Sequence, residues 1–169
     1  AGQKANYVAD NKELDFPKGT ILIKNFFYDY VQPTNARLII ETRLLIKKET
    51  GWSFADYIWN DEQTEAFYSL AGDYKNITWR DENNITRTVN YRIPNEVQCA
   101  VCHKFAGIVE GNNVEYSIPI GVKPQNLNFN YAYTTGTKNQ LQKWIQQGYL
   151  ENNLPTNITA TVDYNDTSQ

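Results

Sequence analysis

The chain has 169 residues, of which 41% are hydrophobic and 14% aromatic, and its formal net charge is -3 at pH 7. A chain of this length can bury its own core, so a single domain over residues 1–169 is expected. With 16 basic and 19 acidic residues it lacks the basic excess that phosphate binding requires, and we expect no nucleic-acid partner. No apolar run approaches the roughly 18 residues of a membrane-spanning helix, so no transmembrane segment is predicted. The first residues lack the layout of a signal peptide, which indicates a mature or trimmed product.

The first half of the chain shows the patterns of β-strands. A β-branched and aromatic run after Pro17 and Gly19 predicts a strand over residues 20–28. The segment "ARLIIETRLLIKK" alternates with a period of two, which predicts a strand with one apolar face and one charged face turned to solvent. The two faces would carry Leu38, Ile40, Thr42, Leu44 and Ile46 on one side, and Arg37, Ile39, Glu41, Arg43, Leu45 and Lys47 on the other.

Turn signals join these runs into hairpins. The turn "KETGW" leads into "WSFADYIW", which predicts a first hairpin, and "NITWRDENNITRTVNYRI" predicts a second one around the polar turn "DENN". The acidic stretch "NDEQTEAFYSLAG" between them is expected to form a loop or one or two helical turns. Residues 107–136, which are rich in Gly, Pro and Asn, are expected to be extended and irregular.

Capping patterns predict two short helices. Asn95 with Gln98 three residues later forms a capping box, so a helix that carries the motif "CAVCH" is expected to begin there. Thr137 with Gln140 predicts the start of a C-terminal helix that ends at Gly148. The fold class is therefore α+β, mainly antiparallel β-sheet with a short CxxCH helix and a C-terminal helix.

The stretch "QCAVCH" contains both cysteines and the only histidine of the chain. Thioether attachment of haem requires two thiols on adjacent helical turns to meet the two vinyl groups, and an imidazole directly after them to reach the iron from the same side. Cys99, Cys102 and His103 have this spacing. The motif therefore predicts a covalent haem c, with the two cysteines as anchors and His103 as the proximal iron ligand.

Three other interpretations of the motif remain open. A thioredoxin-type redox pair would follow a parallel strand in a βαβ unit, whereas the surrounding patterns are those of antiparallel hairpins. A structural zinc site needs four ligands, and this chain has three soft ones in total. The cysteines could also be ordinary buried side chains beside a surface histidine.

The second axial position of the iron is the feature that departs from ordinary electron-transfer cytochromes, which place a methionine or a second histidine there. The chain has no methionine and no histidine besides His103. Unless another chain supplies such a ligand, this leaves an open or water-filled position, or an unusual ligand such as a lysine amine or a tyrosinate. An open iron favours chemistry with small ligands, and a lysine-ligated iron favours electron transfer or a masked site.

The segments "FPKGTILIKNFF", "GWSFADYIWN" and "IPNEVQCAVCHK" resemble, in this order, the small β-sheet c-type cytochromes. That group includes hydroxylamine-oxidising proteins with a lysine-cross-linked haem and the nitric-oxide-binding cytochrome c′-beta. The resemblance implies a cytochrome c′-beta-like fold, and it matches Lys24 to the lysine that cross-links to the macrocycle. The alternative for Lys24 is a strand lysine that reaches the surface or meets a haem propionate. Trp52, Phe54 and Tyr57 are either pocket-lining or ordinary core residues.

A longer resemblance covers nearly the whole chain. Segments such as "RLIIETRLLIKKETGW", "YRIPNEVQCAVCH" and "NQLQKWIQQGYLE" are similar to the N-terminal part of a family of exported bacterial proteins with CxxCH motifs. In these proteins a second motif follows a segment like "VDYNDTSQ", which implies that this chain is a fragment of a larger multi-haem protein.

These observations predict an exported monohaem c-type cytochrome domain in electron transfer, located in the periplasm or on the outer surface. Its partner would be a redox protein or a second haem domain. A haem site for hydroxylamine, nitric oxide or peroxide, acting as an oxidoreductase, is the first alternative. A β-sheet binding module without haem is the second.

Overall fold

A computed structural model describes residues 2–109 and 111–162. The chain divides into two compact units, one of residues 21–117 and the other of residues 1–20 together with 118–169. Within the described residues, the strands of each sheet pair antiparallel in both units. This confirms the predicted α+β class with mainly antiparallel β-sheet. The expectation of one domain over the whole chain stays a prediction. Most of the segment "VDYNDTSQ" lies outside the described residues.

The main sheet of the unit of residues 21–117 has six strands, which are β1 (Ile21–Val31), β2 (Ala36–Lys47), β3 (Trp52–Trp59), β4 (Ala66–Tyr68), β5 (Asp73–Arg80) and β6 (Thr86–Ile93). Their order across the sheet is β4-β3-β2-β1-β5-β6. Both predicted hairpins, β2 with β3 and β5 with β6, are confirmed. The acidic stretch between them was expected to be a loop or helical turns; it contains the short strand β4, which pairs with the edge of β3.

A β-bulge in β2 changes which residues share a face. Phe26 of β1 pairs with Glu41, but the next residue, Phe27, pairs with Ile39, so Ile40 is the extra residue. Because β1 alternates regularly from Phe26 to Tyr28, the partners of these two residues, which are Glu41 and Leu38, lie on the same face. The prediction of unbroken alternation along β2 was therefore wrong at this point.

The hydrophobic core of this unit lies on the face that bears Leu38. Ile40, Ile77 and Ile93 are buried together, so the hairpin β5–β6 packs against β2. The partly buried residues around them are Tyr28, Val31, Leu38, Ile58, Trp79, Val89 and Tyr91.

Helix α1 (Glu96–His103) follows β6 directly and begins as predicted. The side chain of Asn95 accepts a hydrogen bond from the Gln98 N–H, and the side chain of Gln98 accepts one from the Asn95 N–H, both 3.0 Å long. Gly72 allows the preceding loop to pass close to this cap, because its φ is +76° and a Cβ there would lie 2.9 Å from the Asn95 nitrogen. The carbonyl of Leu70 accepts a bond of 3.0 Å from the first N–H of the helix. The loop thus fixes the start of α1.

A hairpin of β7 (Lys104–Val109) and β8 (Asn112–Ser117) follows α1. The prediction of irregular structure from residue 107 onward was wrong here. The rings of Phe105 and Tyr116 pack across the strands with centroids 5.0 Å apart, and such cross-strand pairs stabilise a hairpin whose Gly- and Asn-rich turn suggested a loop.

The second unit contains α2 (Pro124–Leu127), β9 (Asn130–Tyr133), β10 (Gly136–Asn139) and α3 (Gln140–Gln146). Helix α3 is the predicted C-terminal helix, but its N-cap is Asn139 rather than Thr137, which lies in β10. Within the described part of the chain, no helix has the length and apolar content needed to cross a membrane.

Candidate functional site

The structure brings Cys99, Cys102 and His103 together on helix α1. Residues three and four apart are neighbours on a helix surface, so Cys99 adjoins both the second thiol and the imidazole. Both cysteines are free; Cys99 is half-buried and Cys102 is exposed. The side chains that the sequence assigns to haem attachment therefore share one side of a short, capped helix.

His103 lies against the main sheet through an aromatic contact. Its ring centroid is 5.0 Å from that of Phe54 in β3, with the planes at 66°. Phe54 and Asp56 are two residues apart on β3 and share a face of the sheet, and Asp56 pairs with Arg43. We call this face, which carries Phe54, Asp56, Arg43 and Glu41, the inner face.

Charged residues are buried on the inner face, within interaction range of the Cys99 thiol on helix α1. Arg43 donates two hydrogen bonds to the carboxylate of Glu41, from Nη2 to Oε1 at 2.6 Å and from Nε to Oε2 at 2.8 Å. The hydroxyl of Tyr91 donates a third, of 2.7 Å, to Oε1. Asp56 completes the group, with its Oδ2 3.9 Å from Arg43 Nε. We call these four residues the acid–arginine cluster; Glu41 is 0% and Asp56 3% exposed.

The two carboxyl groups of the cluster have opposite pKa shifts. Burial raises the pKa of Glu41, but the hydrogen bonds from Arg43, Asp56 and Tyr91 outweigh it and leave the pKa below its ordinary value. Burial, together with the hydrogen bond to Glu41 and the repulsion from its charge, raises the pKa of Asp56 to about 7. At neutral pH Glu41 is thus ionised, and Asp56 is partly protonated.

The thiol of Cys99 lies close enough to the cluster to interact with its charges. Burial raises the pKa of this thiol, Asp56 and Glu41 raise it further, and Arg43 opposes them. Reactive cysteines of redox pairs have lowered pKa values instead. In addition, β6, which leads into α1, pairs antiparallel with β5. Both observations count against a thioredoxin-type pair.

Lys24 lies on the inner face, because it pairs with Arg43 in the hairpin of β1 and β2. Its Nζ is 4.6 Å from the centroid of the Phe26 ring, and the Arg43 guanidinium is 4.2 Å from the same ring. Two strand spacings, about 10 Å, separate the backbone of Lys24 from that of Asp56. The side chain is exposed.

These residues fit a covalently attached haem. Two free thiols and an imidazole share one side of α1, and the helix buries none of its residues fully, so it is held to the sheet by contacts of partly buried side chains such as His103. Within residues 2–109 and 111–162, no three His, Cys, Asp or Glu side chains are grouped so that they could hold a bare metal ion. A haem iron would need as few as one such protein ligand, because most of its ligands are nitrogens of the macrocycle.

The sequence reasoning missed the cluster and found one of its aromatic neighbours. Of the three aromatic candidates, Phe54 contacts His103, Trp52 is buried, and Tyr57 pairs with Tyr68 on the other face of the sheet. A signal for the cluster was present, because opposite charges at Arg43 and Asp56 face each other once the first hairpin is in register.

Comparison of the chain with protein-family models, with curated proteins and with solved structures finds no match.

Proposed function

We propose that the chain is an exported monohaem c-type cytochrome domain that acts in electron transfer. The observation that carries this proposal is the arrangement of Cys99, Cys102 and His103 on one side of the capped helix α1, with the imidazole against Phe54. When bound, a haem supplies an iron that takes up and releases one electron and can bind small molecules at an open position.

The residues of the chain have separate roles in this proposal. Cys99 and Cys102 form the thioether bonds, and His103 is the proximal ligand, oriented by Phe54. The Asn95 capping box holds the first turn of α1 and thereby fixes the direction in which the three side chains leave the helix. Lys24 extends from the same face of the sheet and is a candidate for contact with the macrocycle or a propionate.

Covalent attachment is tested by producing the exported chain in a bacterial host with a haem-attachment system, then measuring its mass and visible spectrum. We expect one haem per chain in the wild type. Cys102→Ala should abolish or greatly reduce stable attachment, and His103→Ala should keep the haem but change its spin state and ligand binding. Val101→Ala is the control, because Val101 is 80% exposed between the two cysteines.

Equal haem content in wild type and Cys102→Ala would contradict the anchor role. The absence of covalent haem in the wild type would favour a haem-free binding module.

A second candidate is a haem site for a small diatomic or nitrogenous ligand, such as nitric oxide or hydroxylamine, or for peroxide. It is favoured by the composition, since the chain offers no methionine and no second histidine for the far side of the iron. Five-coordinate ferrous iron that binds carbon monoxide or nitric oxide readily would support it. A six-coordinate ferrous form that resists these ligands would favour pure electron transfer.

The most detailed part of the proposal is a covalent cross-link between Lys24 and the haem macrocycle. The cross-linked form should show a strongly red-shifted ferrous Soret band that is lost in Lys24→Arg, a variant that keeps the positive charge. Lys47→Arg is the control on the neighbouring strand β2. A normal Soret band in the wild type would exclude the cross-link and leave Lys24 as a surface or propionate-binding lysine.

A further inference from the structure

Asp56 is a buried carboxyl group that accepts no hydrogen bond from the residues that the structure describes. It is 3% exposed, and within residues 2–109 and 111–162 no donor lies within hydrogen-bond distance of Oδ1 or Oδ2. The Nε of Arg43 lies 3.9 Å from Asp56 Oδ2, beyond hydrogen-bond distance, and Arg43 donates its two side-chain hydrogen bonds to Glu41. An ionised carboxylate in this position would carry a large desolvation cost with little compensation.

Glu41 has a lone pair that can accept a hydrogen bond from Asp56 when Asp56 is protonated. An ionised carboxylate has about four lone-pair sites. Three are used, by the two hydrogens of Arg43 and the hydroxyl of Tyr91, which leaves one on Oε2. The Nε of Arg43 lies 2.8 Å from Glu41 Oε2 and 3.9 Å from Asp56 Oδ2, so this nitrogen adjoins both carboxyl groups. In this arrangement the pKa of Glu41 is lowered and that of Asp56 is raised. A protonated Asp56 would supply a fourth donor to Glu41 and would remove the cost of its own buried charge.

The charges around the pair come from four elements. Arg43 lies beside Glu41 on β2, and Lys24 pairs with Arg43 from β1. The phenol of Tyr91 faces the pair from β6. The thiol of Cys99 interacts with it from α1, the helix that also carries His103, whose ring packs against Phe54. Because the charges of Arg43 and Glu41 neutralise each other, the net charge of the cluster depends on whether Asp56 is protonated.

We propose that Asp56 and Glu41 share one exchangeable proton beneath helix α1, and that this pair takes up a proton when an electron enters the haem. The second part rests on the proposed function. A one-electron donor, which is a reduced mediator dye in the experiment, would give one electron to the ferric haem iron and reduce it to the ferrous form. One proton from water bonds to the carboxylate oxygen of Asp56. The added negative charge favours this proton, and the coupling is reciprocal.

The shared proton is tested first by infrared titration of the wild-type protein, with and without haem. A carbonyl band of a protonated carboxyl group should be present below neutral pH and decline through a midpoint near neutrality. It should be absent in Asp56→Asn, whose amide donates to Glu41 without titrating. Tyr91→Phe removes one donor from Glu41 and should move the midpoint to higher pH. Asp61→Asn, which removes an exposed carboxylate paired with Lys75, should leave the band unchanged.

The coupling is tested by the midpoint potential of the haem-loaded protein as a function of pH. The potential should fall as pH rises through neutrality in the wild type and in Asp61→Asn, and it should be flat in Asp56→Asn. We expect the oxidation state to change the proton affinity on the order of tenfold, which corresponds to about 59 mV between the acid and alkaline limits of a one-electron couple.

The outcomes separate the two proposals. Attached haem with a pH-independent potential in the wild type would overturn the coupling and leave the proposed function intact. A wild type without a titrating carbonyl band would overturn the shared proton, whatever the haem content. A protein that shows the band but attaches no haem would overturn the proposed function together with the coupling.

Discussion

The ring of His103 packs edge-on against the ring of Phe54, with centroids 5.0 Å apart and planes at 66°. Aromatic pairs in this geometry contribute about 0.5–1.5 kcal/mol beyond the area they bury. The contact limits rotation of the imidazole, which a proximal ligand needs if the iron is to be held in one position. It also links helix α1 to strand β3, so the orientation of the motif depends on the sheet.

Replacing Phe54 by Leu should therefore disturb ligation without disturbing attachment. Leu keeps most of the apolar volume but removes the flat surface against which His103 rests. We expect unchanged covalent haem by mass, and a ferrous spectrum that shows a mixture of spin states. Phe67→Leu, at a side chain in β4 whose residue is 59% exposed, is the control and should match the wild type. A single, wild-type-like spin state in Phe54→Leu would show that other contacts orient the imidazole.

Arg43 is the only cation that bonds to the buried carboxylate of Glu41 in the part of the chain described by the structure. Arg43→Met removes that charge and leaves two buried carboxyl groups facing each other, which should lower the free energy of unfolding by about 3–5 kcal/mol. Arg37→Met is the matched control, because Arg37 forms a similar two-bond pair with Asp29 at the surface. Its loss should cost at most about 1 kcal/mol. Urea unfolding of both variants gives the comparison.

The second substitution Asp56→Asn should recover part of the loss in Arg43→Met, because it removes one of the two acids. This non-additivity is the signature of residues in one network. Equal losses in Arg43→Met and Arg37→Met would show that the buried pair contributes no more than the surface one.

The hairpins could be predicted from the sequence because alternation and turn residues act locally. Even the opposition of Arg43 and Asp56 follows once Lys47 is placed opposite Trp52 across the turn. The error concerned burial: the charged side of β2 was expected to face water. It is buried at Glu41 because Arg43 and Tyr91 satisfy its carboxylate, and Tyr91 comes from a strand whose packing the local pattern does not determine.

The bulge at Ile40 could not be predicted for a similar reason. Nothing in the sequence of β2 marks Ile40 as the extra residue, because Leu38, Ile39 and Ile40 are all apolar. The bulge is accommodated because Ile40 then packs with Ile77 and Ile93 of the other hairpin. That packing depends on residues far away in the chain. In contrast, the capping box at Asn95 was predicted correctly, since both of its bonds form within four residues.

Asp56 should make stability depend on pH. Its pKa is raised from 3.8 to about 7 in the folded protein, so between these values the folded state holds a proton that the unfolded state has lost. The stabilisation is complete below the lower value and is lost as pH rises through the upper one. Within this window Asp56 lowers the free energy of unfolding by about 1.4 kcal/mol per pH unit.

Asp56→Asn does not titrate and should lose this dependence. Its stability relative to the wild type should therefore increase steadily from acid to neutral pH and level off above it. Glu41 is present in both proteins, so its opposite contribution, which is lost as pH falls through its lowered pKa, largely cancels in the difference. The measurement is urea unfolding at several pH values. Parallel stability curves for the two proteins would show that Asp56 ionises normally in the fold.

The thiols should differ in reactivity before haem is attached. Cys99 is half-buried and its pKa is raised, first by burial and then by the charges of Asp56 and Glu41, whereas Cys102 is exposed on the same helix. Because the thiolate is the nucleophile, we expect Cys102 to be alkylated on the order of tenfold faster near neutral pH.

The measurement uses haem-free single-cysteine proteins, Cys99→Ser and Cys102→Ser. Asp56→Asn in the Cys102→Ser background should speed the reaction of Cys99, since it removes a negative charge beside the thiol. A faster reaction at Cys99 than at Cys102 would contradict this prediction. It would indicate that the pKa of the Cys99 thiol is lowered, as in a redox-active cysteine pair.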